Sequence, residues 1–270
     1  PAQIGDAPDE GLERREERDA VRRALDTLPL QQRQILLLRA GGMSYKEIGK
    51  AIKSVIKQHY QKWLLLVLDD GSTDKTATVA ARYAAKDPRI AVLRFEENRG
   101  GVAVNEIGME MAVRFGDYWA RLGSDDWWGP SKLKNDFEAF GRGVDVVWGP
   151  FQVVRDGKRA EVCNDELDSH TVRTRLMEGQ FCAGWANIAA RCSVLARVKS
   201  SYGDFVDPRL RNMEDFEFNR RVARVGGQFR WRKGTDGVWS VTTAAGASYN
   251  AKVFSRDHGT METILKEDSP

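Results

Sequence analysis

Three pairs of neighbouring acids, Asp69-Asp70, Asp125-Asp126 and Glu214-Asp215, are the residues of this chain best suited to chemistry, and Asp74 follows close behind the first. Hard carboxylate oxygens bind magnesium or manganese, and such a cation bridges a diphosphate and neutralises charge as a phosphate leaves. A single carboxylate can instead take the proton of an attacking hydroxyl. Each pair also has a plainer reading. Aspartates after strands serve as turn and cap residues. Glu214-Asp215 would sit at a helix N-terminus, where the dipole favours acids. Other reactive types are poorly placed. His59, His170 and His258 share no spacing that suggests a metal site or triad, and Cys163, Cys182 and Cys192 match no zinc or disulfide pattern. Trp127, Trp128 and Trp185 offer flat faces to a sugar, although tryptophans more often serve as core or rim residues. Arg220 and Arg221 could meet a diphosphate, a solvated helix face being the plainer reading.

The elements that must position these acids alternate. LLLVLDD (Leu64 to Asp70) is an apolar run ending in two aspartates, as expected of a buried parallel strand that delivers acids at its carboxyl end. GSTD reads as a turn, TATVAARYAAKD as a helix and IAVLRF (Ile90 to Phe95) as a second strand. NRGG reads as a loop, VAVNEIGMEMAVRF as a second helix and DYWARLGSDD as another strand ending in acids. Alternating strands and helices predict an α/β fold with a mostly parallel sheet. Such sheets bind ligands beyond the carboxyl ends of their strands, which is where Asp69-Asp70 and Asp125-Asp126 fall.

The first fifty residues have a different character. Residues 1–30 hold eight acids against five arginines, whereas residues 31–62 hold seven bases against Glu47 alone. Residues 10–28 read as an amphipathic helix with Leu12, Val21, Leu25 and Leu28 on one stripe. Gln31 to Arg39 is a second helix-compatible stretch, stopped by Gly41-Gly42, and Ser44 could cap a third helix from Tyr45. LDTLPLQQRQILLLRAGGMSYKEIGKAI (Leu25 to Ile52) resembles region 4 of the sigma-70 family of transcription initiation factors. That family continues with a turn and a recognition helix that enters the major groove. Here Lys53 onward reads KSVIKQHYQKWLLLVLDD, without either. Nucleic-acid binding is therefore not expected to follow from the resemblance, and a DNA-binding or transcription-initiation module is the second reading of the chain.

AIKSVIKQHYQKWLLLVLDDGSTDKT, ENRGGVAVNEIGMEMA, DYWARLGSDDWWGPSKL and the later MEDFEFNRRVARVGGQF resemble, in order, the family 2 glycosyltransferases of the GT-A fold, over about residues 51–229. The resemblance implies an inverting, metal-dependent transfer of a sugar from a nucleotide-diphosphate donor to an acceptor hydroxyl. By residue, it implies that Asp70 receives the nucleotide base, with Asp69 and Asp74 shaping the pocket. It makes Asp125 the ligand of a Mn2+ or Mg2+ ion with Asp126 close by, and Asp215 the catalytic base. Many family members carry aspartate where Gly123 stands, which removes one ribose contact. The implied partners are the donor and a glycan, lipid-linked or small-molecule acceptor. Peripheral membrane association through a partner stays open, as does the oligomeric state.

The two resemblances meet near Gly49 to Lys53. Family 2 enzymes begin with a central strand, and Ile35 to Arg39 stands about where that strand should be, with Ala40-Gly41-Gly42 as its turn. The local signals between Pro29 and Ser44 agree with one another on a helix. The expectation is therefore a sheet without its centre and a crippled nucleotide pocket, against the alternative of a recruited strand and a complete one. An inactive fusion product is the third reading. The division expected along the chain is a sigma-like helical segment over 1–50, a mixed-sheet GT-A domain over 51–250 and a tail over 251–270. At 270 residues, with 41% hydrophobic and 30% charged residues and a net charge of +3, the composition argues against wholesale disorder. No run approaches the roughly 20 apolar residues of a membrane span. The N-terminus has no apolar core like that of a secretory signal, and the cysteines fit a reducing compartment, so the expected location is cytoplasmic.

Overall fold

In the computed structural model of the chain, the described residues are 34–40, 45–155, 158–162, 166–179, 184–210, 213–233, 238–241, 259–261 and 263–264. The sigma-like residues before Gln34 lie outside them. The element order begins with β1 (Gln34–Ala40), α1 (Tyr45–Ile56), β2 (Trp63–Asp69), α2 (Thr76–Ala84), β3 (Ile90–Arg94), α3 (Gly101–Phe115) and β4 (Tyr118–Gly123). It continues with β5 (Trp127–Trp128), α4 (Lys132–Ala139), β6 (Val146–Trp148), β7 (Phe151–Arg155), β8 (Lys158–Val162) and α5 (Ser169–Met177). A short 3-10 turn (Trp185–Asn187), β9 (Ile188–Arg191), α6 (Cys192–Tyr202), α7 (Glu214–Arg224), β10 (Phe229–Trp231) and β11 (Val238–Val241) follow.

Seven strands form one sheet in the order β10-β6-β9-β4-β1-β2-β3. The half built from β4, β1, β2 and β3 is parallel, and β9 runs antiparallel between β4 and β6. The sheet is thus mixed, the architecture expected of a GT-A body. A smaller sheet, β5-β11-β7-β8, lies apart in the pairing.

The strand at the centre corrects the helix expected at Ile35 to Arg39. Gln34 to Ala40 pairs residue for residue with Trp63 to Asp69 of β2, and Gln34 to Arg39 with Tyr118 to Gly123 of β4. Its side chains alternate between two cores. Ile35 and Leu37 join Leu66, Leu68, Val104 and Met109 on one face, while Leu36 and Leu38 join Ile48, Ile52, Val55 and Leu65 on the other. Magnitudes explain the outcome. Intrinsic helix preferences among these residues differ by no more than about 0.7 kcal/mol each. Leaving a buried backbone donor or acceptor unpaired costs about 1–3 kcal/mol, and a missing central strand would strand two whole edges. Burial on both faces overrides the leucines' local preference.

The helices cover this sheet closely. A Cβ on Gly108 of α3 would lie 2.6 Å from Leu37 Cδ1 and 2.8 Å from Leu68 Cδ1, so α3 approaches β1 and β2 where only glycine leaves room. Met261 and Ile264, far along the chain, are buried in the same core cluster as α5, α6 and α7. Among the described residues, no helix is long and apolar enough to cross a membrane.

Candidate active site

The carboxyl end of β2 turns sharply into the first acidic loop. Asp69 and Asp70 are fully buried there. Asp69 Oδ1 accepts from Ser72 N at 3.1 Å, and its Oδ2 lies 3.5 Å from the exposed Arg94 guanidinium. Asp70 Oδ1 accepts from Arg99 N at 2.7 Å, and its carbonyl accepts from Asn98 Nδ2 at 3.2 Å. Two loops therefore clasp each other, and the turn needs Gly71. This residue has φ of 69°, and a Cβ there would meet Asn98 N at 2.8 Å. Asp74 is exposed and accepts from Thr76 N at 2.9 Å, closing the turn into α2.

The second acid pair follows β4. Asp125 and Asp126 are half-buried in a turn closed by Asp126 N donating to Gly123 O at 3.2 Å. A Cβ on Gly123 would lie 2.7 Å from Asp125 Oδ1 and 2.8 Å from Asp126 Oδ2. The two carboxylates thus converge on the space that a side chain at 123 would fill. Because β1 lies between β2 and β4, the two acid clusters are separated by two strand spacings, about 10 Å. The end of β1 at Ala40, in register with Asp69, lies between them.

The third acid arrives by a different route. Asp215 is half-buried in the first turn of α7, which starts after Met213 in a left-handed conformation at φ 60°. Its Oδ2 is 3.8 Å from the Cβ position of Gly184, next to the 3-10 turn. That turn enters β9, which runs antiparallel to β4 with Ala189 opposite Ala120. The turn therefore lies beside the carboxyl end of β4, and Trp128 Nε1 donates to Ala186 O at 2.9 Å across it. Asp215 and the pair Asp125-Asp126 lie toward the same end of the sheet, beside the carboxyl end of β4.

Sequence reasoning missed the residue that anchors α7. Asn105 of α3 donates through Nδ2 to Glu214 Oε2 at 2.8 Å, with both side chains buried. The bond joins residues 109 positions apart, so no local pattern signals it. Arg220 and Arg221 correct both of their sequence readings. They are buried, not solvated, and both pair with buried Glu217, at 2.8 and 2.6 Å. Arg221 also donates to Asp204 O at 2.7 Å, so these guanidiniums brace α7 internally and tie it to the preceding segment. Trp128 and Trp185 are buried, the latter against Trp119 and Phe218 with ring centroids at 5.5 and 5.3 Å. Burial pushes the Cys192 thiol well above its usual range, so it is inert packing.

Among the described residues, no three His, Cys, Asp or Glu side chains are grouped to hold a metal ion by themselves. The two carboxylates that meet over Gly123 nonetheless suit a hard divalent cation that takes its remaining ligands from a diphosphate and water. The donor set fits the cation that the sequence implies.

Residues 43–201 match the glycosyl transferase family 2 profile. The chain belongs to glycosyl transferase family 2. Residues 18–52 also match sigma-70, region 4. Within that stretch, Gln34–Ala40 is the central strand of the transferase sheet and Tyr45–Ile56 its first helix. Among relatives of this family 2 chain, TuaG of Bacillus subtilis (strain 168), a glycosyltransferase assigned to teichuronic acid biosynthesis, is 36% identical over 91 residues. These are 34% of this chain and 35% of TuaG. The UDP-Glc:alpha-D-GlcNAc-diphosphoundecaprenol beta-1,3-glucosyltransferase WfgD of Escherichia coli is 30% identical over 110 residues, 40% of this chain and 42% of WfgD. The chain spans about a third of the length of the first curated relatives it matches. The fold agrees with that of S. aureus TarS 1-349 in complex with UDP-GlcNAc. The TM-score is 0.66 at 14% identity, covering 88% of this chain and 67% of that one.

Proposed function

We propose that this chain transfers a sugar from a nucleoside-diphosphate donor to an acceptor hydroxyl, with a divalent cation and with inversion at the anomeric carbon. The observation that carries the reading is β1, seated between the two strands that end in acids. A recruited strand supplies the pocket floor that a helix there would have removed. In this reading residues 51–250, together with β1, form the transferase body, and Met261 and Ile264 from the stretch 251–270 pack into its core.

Asp70, fixed by the Arg99 amide, receives the nucleotide base, while Asp69 and Asp74 shape the loop around it. Asp126 lies beside the donor's ribose and diphosphate. A Mn2+ or Mg2+ ion held by Asp125 would supply charge neutralisation on the departing diphosphate. Asp215 takes the acceptor's proton during attack, because a sugar hydroxyl is too weak an acid to attack unaided. One base and direct displacement from the opposite face give inversion. Asn105 positions Asp215 by holding Glu214. The DNA-binding alternative is disfavoured by Gln34–Ala40, which is strand where a sigma factor needs helix.

A screen of nucleotide-sugars for thermal stabilisation, with manganese present, tests the donor site. UDP-sugars come first, since a UDP-sugar names WfgD's donor and TarS was solved with one. Replacing Asp215 with Asn should abolish transfer while leaving donor stabilisation nearly intact. Retained turnover in Asp215→Asn would exclude it as the base.

A further inference from the structure

A second concave surface adjoins the acids and has no role in the donor reading. Helix α1 carries Lys46, Lys50 and Lys53, and Lys57 follows directly after its end with its N–H donating to Lys53 O at 3.1 Å. At intervals of four, three and four residues they lie along one face over about 16 Å. All four are exposed, and they line a groove of about 630 Å³. Val79 and Tyr83 of α2 form part of its wall, and Trp127 with Pro130 another part. Among the described residues, no carboxylate lines it. Lys50 Nζ stands 3.0 Å from the centroid of the Trp127 ring, and burial holds its pKa below the usual lysine range.

The groove's direction relates it to the site. Residues 127–130 run along α1, with Trp128 N donating to Ser54 Oγ at 3.1 Å and His59 N donating to Pro130 O at 2.8 Å. The chain enters this wall directly from Asp125-Asp126. The wall of the groove at Trp127 therefore begins one residue after Asp126. Aromatic faces pack against the C–H faces of sugar rings, while lysines spaced along a helix meet anionic substituents spaced along a chain.

We infer that the lysine-lined groove of α1 binds an anionic glycan, carrying carboxylate or phosphate groups, as the acceptor strand. The assignment as acceptor rests on the transferase reading above, but the binding itself is measured without any donor. A flat lipid surface fits a walled groove poorly. Nucleic acid shares the charge, and Lys46 and Lys50 fall within the stretch that matches sigma-70, region 4, so a DNA duplex is the competing arm of the test.

Binding of the full chain is measured against a labelled oligogalacturonide, a labelled poly(glycerol phosphate) chain, neutral dextran and a DNA duplex. The protein should bind at least one anionic glycan in a salt-sensitive way, the two arms separating carboxylate from phosphate recognition. Lys50→Gln/Lys53→Gln/Lys57→Gln should weaken that binding by roughly tenfold. The control Lys86→Gln/Lys134→Gln, which changes two exposed lysines outside the groove, should leave it unchanged. An unchanged melting temperature establishes that the triple variant is folded, and Lys53→Gln alone, with a smaller loss, serves if it is not. Unaltered glycan binding in the variants, equal binding of dextran, or tighter binding of the duplex would overturn the inference. If nucleotide-sugars fail to stabilise the protein while the groove binds glycan, the donor reading fails and the groove stands.

Discussion

At Gly123 the absence of a side chain decides where two carboxylates go. Asp125 and Asp126 lean into that space, at 2.7 and 2.8 Å from where a Cβ would lie. The atoms nearest a methyl group there belong to the side chains of Asp125 and Asp126, both half-buried and able to turn aside, so Gly123→Ala should change stability by no more than about 0.5 kcal/mol. It should nevertheless push the carboxylates apart and weaken manganese-dependent stabilisation by a nucleotide-sugar. A thermal-shift titration of manganese at fixed nucleotide-sugar measures this, and an unmoved titration would mean the pair does not hold the cation. At this scale the acids themselves were legible in the sequence, because strand-end position marks them. Their partners were not. Asn105 reaches Glu214 only because α3 and α7 pack together, and Glu217 claims Arg220 and Arg221 only because α7 is buried almost all round.

The elements were mostly legible. IAVLRF and LLLVLDD form strands close to where their apolar runs begin and end, and VAVNEIGMEMAVRF lies within α3. The exception is β1. Seven residues whose local preferences favour helix are extended because strands on both sides and cores on both faces demand it. This makes a specific prediction about packing. Leu37→Ala should cost about 2–5 kcal/mol, as large-to-small changes in a full core do. Gly108→Ala alone overfills the same contact and should cost about 1–3 kcal/mol. The double variant should be less destabilised than the two costs combined, because the new methyl occupies part of the space Leu37 vacates. Urea denaturation of the four proteins gives the coupling directly. Additive costs would mean that α3 does not bear on β1 as the contact at Gly108 indicates.

Over the whole molecule, the core is assembled from distant parts of the chain. Met261 and Ile264, at 2% and 3% exposure, join a cluster with residues as early as Ile35. Met261→Ala/Ile264→Ala should therefore lower stability by about 4 kcal/mol or more, read as a fall in the denaturation midpoint at constant slope. A loss below about 1 kcal/mol would mean the two side chains only rest on the surface. The sequence by itself determined the alternating α/β order, the strand-end acids and the lysine spacing of α1, since each is a matter of local periodicity. Only the tertiary structure decided that Gln34–Ala40 is strand, that Asn105 holds Glu214, and that Lys50 faces Trp127 in a lysine-lined groove. Each of these depends on which distant residues share a neighbourhood, and burial there outweighs the few tenths of a kcal/mol by which local preference chooses.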